Sequence, residues 1–212
     1  RYTAMYFNDL DFPFKRYAMQ KVWRGERPQL GRMREFYQCD IDVIHVDHLP
    51  LHFDAEMPAV IYEALSGLDI GRIQIRISNR KILLGLLDAL GIEDTIPVTR
   101  TVDKLDKLGA DEVSRLLIEE CGLGESDAAI ILELVTLHTK TQTFDGLLRD
   151  FIARNDVIAR SESDAAIHTM EEGIAELGFV IKQLSHLPDG AVVADLSIVR
   201  GLDYYTGTVY ET

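Results

Sequence analysis

The chain has 212 residues, of which 47% are hydrophobic and 27% charged, and these values exclude an intrinsically disordered protein. Its sequence contains no apolar run of the roughly 18 residues that a membrane-spanning helix requires. The net charge of −13 argues against a general nucleic-acid binder.

The charge is unevenly distributed along the chain. Residues 88–190 carry 21 acidic and 9 basic residues, whereas residues 1–87 carry 11 acidic and 12 basic ones. Arginines are concentrated between positions 24 and 34. A local basic cluster in an acidic protein favours a small polyanionic ligand over a long phosphate backbone. A solvated, charge-rich surface loop is the alternative for any one of these arginines.

The cysteines and histidines give little sign of a metal site. Cys39 and Cys121 lie far apart without metal-type spacing, which indicates a reducing, cytoplasmic environment. A histidine group at 45–52 could suggest metal binding, but Pro50 interrupts the helix that would align its last two members. We therefore expect no metal bound by protein side chains alone.

The first elements along the chain predict two strands and a long loop. Residues 15–24 alternate approximately and are rich in aromatic side chains, so they predict a strand. Residues 25–34 are polar and contain two glycines and a proline, which indicates a loop. Residues 35–46 alternate cleanly as a second strand, antiparallel to the first. The loop is longer than an ordinary hairpin connection, and such loops are often functional.

The remaining pattern is mixed and then helical. It predicts a helix over 54–66, a strand over 72–78 and a buried helix over 81–91. Helical periods then recur at 101–108, 111–121, 126–138, 144–153 and 164–177, and strands return at 191–199 and 204–211. This order predicts an α+β fold with a mixed, mainly antiparallel sheet. The predicted division is a sheet region over 1–90, an inserted helical lobe over 91–190 and a return to the sheet over 191–212.

The first group of candidate functional residues lies in and beside the polar loop. Arg24 and Arg32 carry guanidinium groups, which bind phosphate oxygens bidentately and suit a triphosphate. Phe36 could stack on a base, and Glu26 could accept a hydrogen bond from an exocyclic amine. Surface salt bridges are the alternative explanation, and the residue types alone favour it.

The second group follows one face of the second strand. Phe36, Gln38, Asp40 and Asp42 alternate with an apolar set on the opposite face. Such polar residues either face solvent or line a pocket, and a carboxylate beside an amide suits an ammonium group or an imidazole N–H.

The third group is Arg200 with Tyr204 and Tyr205. The glycine after Arg200 permits a tight turn, and the two tyrosine hydroxyls could orient a polar substrate. The alternative is a turn before a strand, with two core aromatic residues.

Two of these segments resemble known motifs. WRGERPQLGRMREFYQCDID (23–42) resembles the second signature motif of class II aminoacyl-tRNA synthetases, and RGLDYYTGTVYE (200–211) resembles a motif peculiar to the histidyl-tRNA synthetase family. Their order, with a helical insertion between them, makes the match specific. The resemblance implies a catalytic core of the class II type that activates histidine with ATP and Mg²⁺ and transfers it to tRNA(His), in a protein that is a homodimer.

The resemblance also implies roles for individual residues. Arg24 and Arg200 would be the catalytic cations at the α-phosphate, and Arg32 would hold the far phosphates of ATP. Phe36 would stack on adenine, and Glu26 would contact it.

Histidine would be bound by a separate set of residues, which comprises Gln38, Asp42, Arg200, Tyr204 and Tyr205. Asp42 is shorter than the glutamate that many members of the family carry. Counterparts of the first and third class motifs and of the anticodon-binding domain are not found in the sequence, and both ends lie within apparent elements, so we expect a fragment of a longer protein.

Two other functions would fit a similar sequence. A non-catalytic paralogue, such as the regulatory subunit of ATP phosphoribosyltransferase, would bind histidine as a sensor. The complete set of arginines argues against it, because a sensor has no use for contacts with ATP. A structural or interaction module is the third hypothesis, and ligand-dependent thermal stabilisation would exclude it.

Overall fold

The structure is a computed structural model that describes residues 1–25, 27–139, 144–155, 164–199 and 204–212. The chain divides into two compact units, residues 1–53 and residues 54–212, and each is considered by itself. The predicted division into a sheet region over 1–90, a helical lobe over 91–190 and a return to the sheet over 191–212 stays a prediction. In the described part of the chain, no helix has both the length and the apolar character to cross a bilayer.

The described elements are as follows. The helices are α1 (Tyr2–Met5), α2 (His52–Ser66), α3 (Arg80–Ala89), α4 (Thr95–Val102), α5 (Leu105–Leu108), α6 (Ala110–Glu119), α7 (Glu125–Val135), α8 (Phe144–Arg154) and α9 (Asp164–Gln183), and a 3-10 turn covers Phe7–Asp9. The strands are β1 (Phe14–Trp23), β2 (Glu35–Ile44), β3 (Ile75–Asn79), β4 (His138–Thr139), β5 (Val192–Asp195) and β6 (Thr208–Glu211).

The first unit is built around a two-stranded ribbon. β1 and β2 are antiparallel over their whole length, from the pair Phe14 and Ile44 to the pair Trp23 and Glu35. The predicted antiparallel pair is therefore confirmed. Directly opposite residues share a face of the ribbon, so this register decides which side chains meet across the strands.

The second unit contains a four-stranded sheet in the order β4, β5, β3, β6. β3 runs parallel to β5 and antiparallel to β6, and β4 runs antiparallel to β5. The sheet is therefore mixed and mainly antiparallel, and the α+β fold class is confirmed. The connection between the parallel strands β3 and β5 contains helices, in keeping with the long crossover that parallel strands require.

Helices α3 and α9 pack closely because two glycines remove side chains from their contact. A Cβ on Gly85 would lie 2.7 Å from the backbone nitrogen of Met170 and 2.8 Å from the carbonyl oxygen of Ala166. A Cβ on Gly173 would lie 2.8 Å from Cβ of Lys81. The two helices thus approach each other almost backbone to backbone, which only glycine permits at these positions.

The core of the second unit is formed by apolar side chains from the sheet and from the helices around it. Its largest fully buried members include Ile75, Ile77, Ile82, Leu86, Leu87, Leu117, Ile131, Leu134, Leu148, Phe151 and Met170. Ile75 and Ile77 come from β3. In α3, α6, α7 and α9 the buried residues recur at the helical spacing, so each of these helices turns one apolar face toward the core.

Several of the predicted boundaries are wrong. The strand predicted over 204–211 begins at Thr208, and the helix predicted over 164–177 continues to Gln183. The helix predicted over 101–108 is two helices, α4 and α5, and α4 begins at Thr95. The helix predicted to reach residue 138 ends at Val135, because the chain turns there into the short strand β4. The strand predicted over 191–199 ends at Asp195, whose carboxylate accepts the backbone N–H of Ser197 in a turn.

Candidate functional site

The loop between β1 and β2 closes on itself at a tight tip. Gln29 and Arg32 exchange two backbone hydrogen bonds of 3.1 and 2.9 Å around Leu30 and Gly31. Gly31 has a φ of 77°, a value that glycine adopts without strain. At the base of the loop, the backbone N–H of Arg24 donates to the carbonyl of Arg34 at 2.8 Å.

The two sides of this loop differ in their number of residues between the base and the tip, and this difference sets the register of the ribbon. Residues 25–28 separate the base from the tip on one side, whereas Met33 alone separates them on the other. If the pairing at the tip continued without this offset, Asp42 would lie opposite Met19. In the observed register it lies opposite Arg16.

Two of the residues predicted to bind ATP lie against each other at the loop end of the ribbon. The guanidinium carbon of Arg24 lies 4.6 Å from the centroid of the Phe36 ring, within the range of a cation–π contact. Phe36 is half-buried and lies opposite Val22. A fixed cation over an aromatic ring suits a ligand that combines a planar base with phosphate groups.

Beyond Phe36, the same face of the ribbon carries a row of polar side chains. The side-chain amide nitrogen of Gln38 donates to Oδ1 of Asp40 at 2.7 Å. Nη2 of Arg16 lies 2.5 Å from Oδ2 of Asp42, without the geometry of a hydrogen bond, so the contact is an ion pair. That carboxylate oxygen is closed off from solvent. The row is therefore held by contacts within and across the strands.

The opposite face of the ribbon was predicted to be apolar, and its large side chains are exposed. They are Tyr17, Met19, Trp23 and Tyr37. At the loop end of this face, Glu35 accepts hydrogen bonds from Lys21 at 2.6 Å and from the indole N–H of Trp23 at 3.0 Å. These two bonds lower the pKa of the Glu35 carboxyl.

The tyrosine pair predicted to bind histidine belongs to the second unit. Tyr204 and Tyr205 lie edge to face with ring centroids 5.4 Å apart, and they are 84% and 51% exposed. The interpretation of this pair as core aromatics is therefore wrong for both rings. Because both rings are exposed, their hydroxyls and ring edges are accessible to a polar ligand.

The segment that leads toward Arg200 is anchored by a buried carboxylate. Oδ1 of Asp195 accepts from the backbone N–H of Ser197 at 3.0 Å and from its hydroxyl at 2.6 Å. Nε of Arg76 donates to Oδ2 at 2.6 Å. Burial raises the pKa of Asp195, but the bonds from Ser197 and Arg76 outweigh it and leave this pKa below its ordinary value.

Not every predicted site residue can be placed. Glu26 and Arg200 lie outside the described residues. Arg24 and Phe36 are in contact, and Gln38 and Asp42 share one face of the ribbon. The backbone of Arg32 forms part of the loop tip.

No group of three histidine, cysteine or carboxylate side chains among the described residues could hold a metal ion. Cations are present instead at the loop end of the ribbon, at Arg24 and in the loop that follows it. Phosphate groups can be neutralised by such arginines directly.

Sequence reasoning missed the partners of the predicted histidine-binding residues. The alternation of β2 placed Asp40 on the polar face, but it did not show that Asp40 accepts a hydrogen bond from Gln38. Arg16 was missed because its position opposite Asp42 depends on the offset in the loop, and the sequence pattern does not contain that offset.

The whole chain, residues 1–212, matches the family model described as Histidyl-tRNA synthetase. It is 54% identical over 211 residues to the histidine--tRNA ligase of Thermobifida fusca and covers 45% of that protein, with all of this chain aligned. It is 46% identical over 212 residues to the histidine--tRNA ligase of Micrococcus luteus and covers 44% of it, again with all of this chain aligned.

Solved structures show the same likeness. The crystal structure of histidyl-tRNA synthetase from Nostoc sp. PCC 7120 superposes with a TM-score of 0.85 at 36% identity, over 99% of this chain and 46% of that one. The chain thus spans about half the length of the relatives it matches.

Proposed function

Because the chain belongs to the histidyl-tRNA synthetase family, we propose that it is part of an enzyme that activates histidine with ATP and transfers the histidyl group to tRNA(His). The observation that carries this proposal is the order of side chains on one face of the ribbon: a cation stacked on an aromatic ring, then an amide, then carboxylates. That order suits a nucleotide at the loop end and a cationic amino acid further along.

In the proposed first step, a carboxylate oxygen of histidine attacks the α-phosphorus of ATP, and pyrophosphate leaves. Arg24 and Arg200 stabilise the negative charge that develops at the α-phosphate, and Arg32 holds the far phosphates. Phe36 stacks on adenine, and Glu26 accepts a hydrogen bond from its amino group. No side chain needs to remove a proton, because the attacking carboxylate is already ionised.

In the proposed second step, a terminal ribose hydroxyl of tRNA(His) attacks the carbonyl carbon of histidyl-adenylate, AMP leaves, and the hydroxyl proton passes to a phosphate oxygen of the departing AMP. Gln38 and Asp42 accept hydrogen bonds from histidine, and Arg200, Tyr204 and Tyr205 complete its recognition. Mg²⁺ enters as part of the nucleotide substrate, with the phosphate oxygens as its ligands.

We extend the proposal to the setting of the enzyme. The intact protein is a homodimer in the cytoplasm, where aminoacylated tRNA serves protein synthesis. Both cysteines are free thiols, which supports a reducing environment.

The proposal is tested by histidine-dependent exchange of pyrophosphate into ATP in the intact protein. Arg24→Ala is expected to lower the exchange rate by roughly 100- to 1,000-fold, because a fixed cation at the reacting phosphate is lost. Arg200→Ala is expected to have a comparable effect. Arg100→Ala, which removes an exposed cation from α4, is the control and should leave exchange unchanged.

A regulatory paralogue would give a different result. Calorimetry of the intact protein would then detect histidine binding without ATP binding, and exchange would be absent even in the wild type. The proposal expects both ligands to bind.

A further inference from the structure

We propose that Asp40 and Arg16 are positioning residues that fix Gln38 and Asp42 as hydrogen-bond acceptors for the N–H groups of histidine. The inference deepens the proposed function and rests on it. It gives a role to Arg16, which the sequence pattern does not single out, and to Asp40, which the sequence pattern places on the polar face without a role of its own.

Asp40 fixes the orientation of the side-chain amide of Gln38. An amide can turn either its oxygen or its nitrogen toward a ligand, whereas an ionised carboxylate can only accept hydrogen bonds. Because Nε2 of Gln38 donates to Oδ1 of Asp40 at 2.7 Å, the orientation of this amide is set. Its Oε1 makes no hydrogen bond within the part of the chain that the structure describes. Gln38 therefore presents an acceptor.

Arg16 compensates the charge of an enclosed carboxylate oxygen of Asp42. Oδ2 of Asp42 is shut off from water, and a charged oxygen in such a place requires a compensating cation. Arg16 lies directly opposite in the register and supplies that cation at 2.5 Å. The ion pair ties down Oδ2 and leaves Oδ1 of Asp42 outside it.

Together the two contacts make this stretch of the ribbon a row of acceptors. A ligand that presents N–H donors, such as an ammonium group or an imidazole N–H, finds partners there. A ligand that presents only acceptors leaves these groups unsatisfied, and unpaired polar groups are a strong source of discrimination. Selectivity for histidine thus depends on residues that do not themselves touch it.

The experiment is steady-state pyrophosphate exchange in the intact protein, with the KM for histidine and the KM for ATP measured separately. Asp40→Ala frees the amide of Gln38 to rotate, and we expect the KM for histidine to rise about tenfold while the KM for ATP changes less than about twofold. Asp40→Asn is the rescue variant, because its side-chain oxygen can accept the same N–H bond. It should recover most of the loss.

A second pair of variants tests the ion pair. Arg16→Ala should raise the KM for histidine about tenfold, and Arg16→Lys should restore part of the affinity because the charge remains. Lys21→Ala is the matched control, since Lys21 is a ribbon cation whose partner Glu35 lies on the other face. It should leave both KM values unchanged.

The possible outcomes distinguish a failure of the positioning roles of Asp40 and Arg16 from a failure of the proposed enzymatic function. A KM for histidine that is unchanged in Asp40→Ala and Arg16→Ala overturns the inference. Equal rises in both KM values also overturn it, since they indicate a general loss of structure, as does failure of Asp40→Asn to restore affinity. A wild-type protein without histidine-dependent exchange overturns the proposed function itself, and the inference falls with it.

Discussion

The two units of the chain differ in how they are held together. Among the described residues before Phe53, none is buried, whereas the second unit encloses an apolar core drawn from its sheet and the helices around it. A two-stranded ribbon is at best marginally stable in water by itself. The proposed chemistry of the ribbon therefore lies on an element that contributes little to the stability of the fold.

The polar contacts differ in the same way. In the ribbon, both members of the Arg16–Asp42 pair and of the Lys21–Glu35 pair are partly exposed. In the second unit, the carboxylate of Asp195 is buried and receives bonds from both Arg76 and Ser197. Exposed pairs add little to stability, so the ribbon's contacts can serve recognition while those of the second unit serve folding.

The largest expected effect is seen when the units are separated. A fragment of residues 51–212 should unfold cooperatively, because it retains the whole apolar core. A fragment of residues 1–50 should show rapid exchange of its backbone amide hydrogens throughout, since no described residue of it is buried. Hydrogen exchange followed by mass spectrometry measures both. Slow amide hydrogen exchange in the isolated fragment 1–50 would contradict the proposed difference in stability between the two units.

The close contact of α3 and α9 gives the next largest effect. Gly85→Ala and Gly173→Ala should each lower the free energy of unfolding by about 2–3 kcal/mol, because the new methyl group meets backbone or Cβ atoms that cannot move away. Urea denaturation measures the change.

The matched control for these variants is Gly146→Ala. Gly146 lies in α8 with open space around it, so this substitution should stabilise the helix by about 0.5–1 kcal/mol. If all three substitutions shift stability in the same direction, the close packing of α3 and α9 is not the cause.

The buried carboxylate of the second unit predicts a dependence on pH. The pKa of Asp195 is lower in the folded protein than in the unfolded chain, where it is about 4. The carboxylate therefore contributes fully to the free energy of unfolding above the unfolded pKa, and this contribution is lost as the pH falls through the folded pKa. Asp195→Asn should cost about 2 kcal/mol at pH 7. That cost should shrink as the pH falls below 4.

Asp106→Asn provides the comparison for this variant. Asp106 also contacts Arg76, at 3.2 Å, but its side chain is 57% exposed. Its loss should change the urea midpoint by the equivalent of less than about 0.5 kcal/mol at any pH. A cost equal to that of Asp195→Asn would show that burial does not distinguish the two carboxylates.

The smallest effect is expected on the exposed face of the ribbon. Tyr17→Ser should change the free energy of unfolding by less than about 0.5 kcal/mol, because the ring is already in water. Ile77→Ala, in the centre of the sheet of the second unit, should cost about 2–5 kcal/mol. Thermal denaturation of the two variants side by side tests whether stability resides in the second unit.

Much of the fold could be predicted from the sequence because its periodicity is strong. The two-residue alternation over 35–46 identified β2 and its two faces. The helical spacing identified α6, α7, α8 and α9. The boundaries near Thr95 and Val135 were missed, since local propensity does not show where a helix yields to a turn or a short strand.

The site could be predicted only in part. The residue types alone left the roles of Arg24, Phe36, Gln38 and Asp42 open, and it is the resemblance to the family motifs that predicts them. The contact between Arg24 and Phe36 and the pairing of Arg16 with Asp42 depend on the loop. That pairing follows from an offset between the two sides of the loop, which no two-residue period can reveal.

The most direct test of the central claim is pyrophosphate exchange by the intact wild-type protein with each of the common amino acids in turn. Histidine alone should support exchange of labelled pyrophosphate into ATP, because the proposed site combines phosphate-binding arginines with acceptors for histidine. No exchange with histidine, or equal exchange with several amino acids, would contradict the claim.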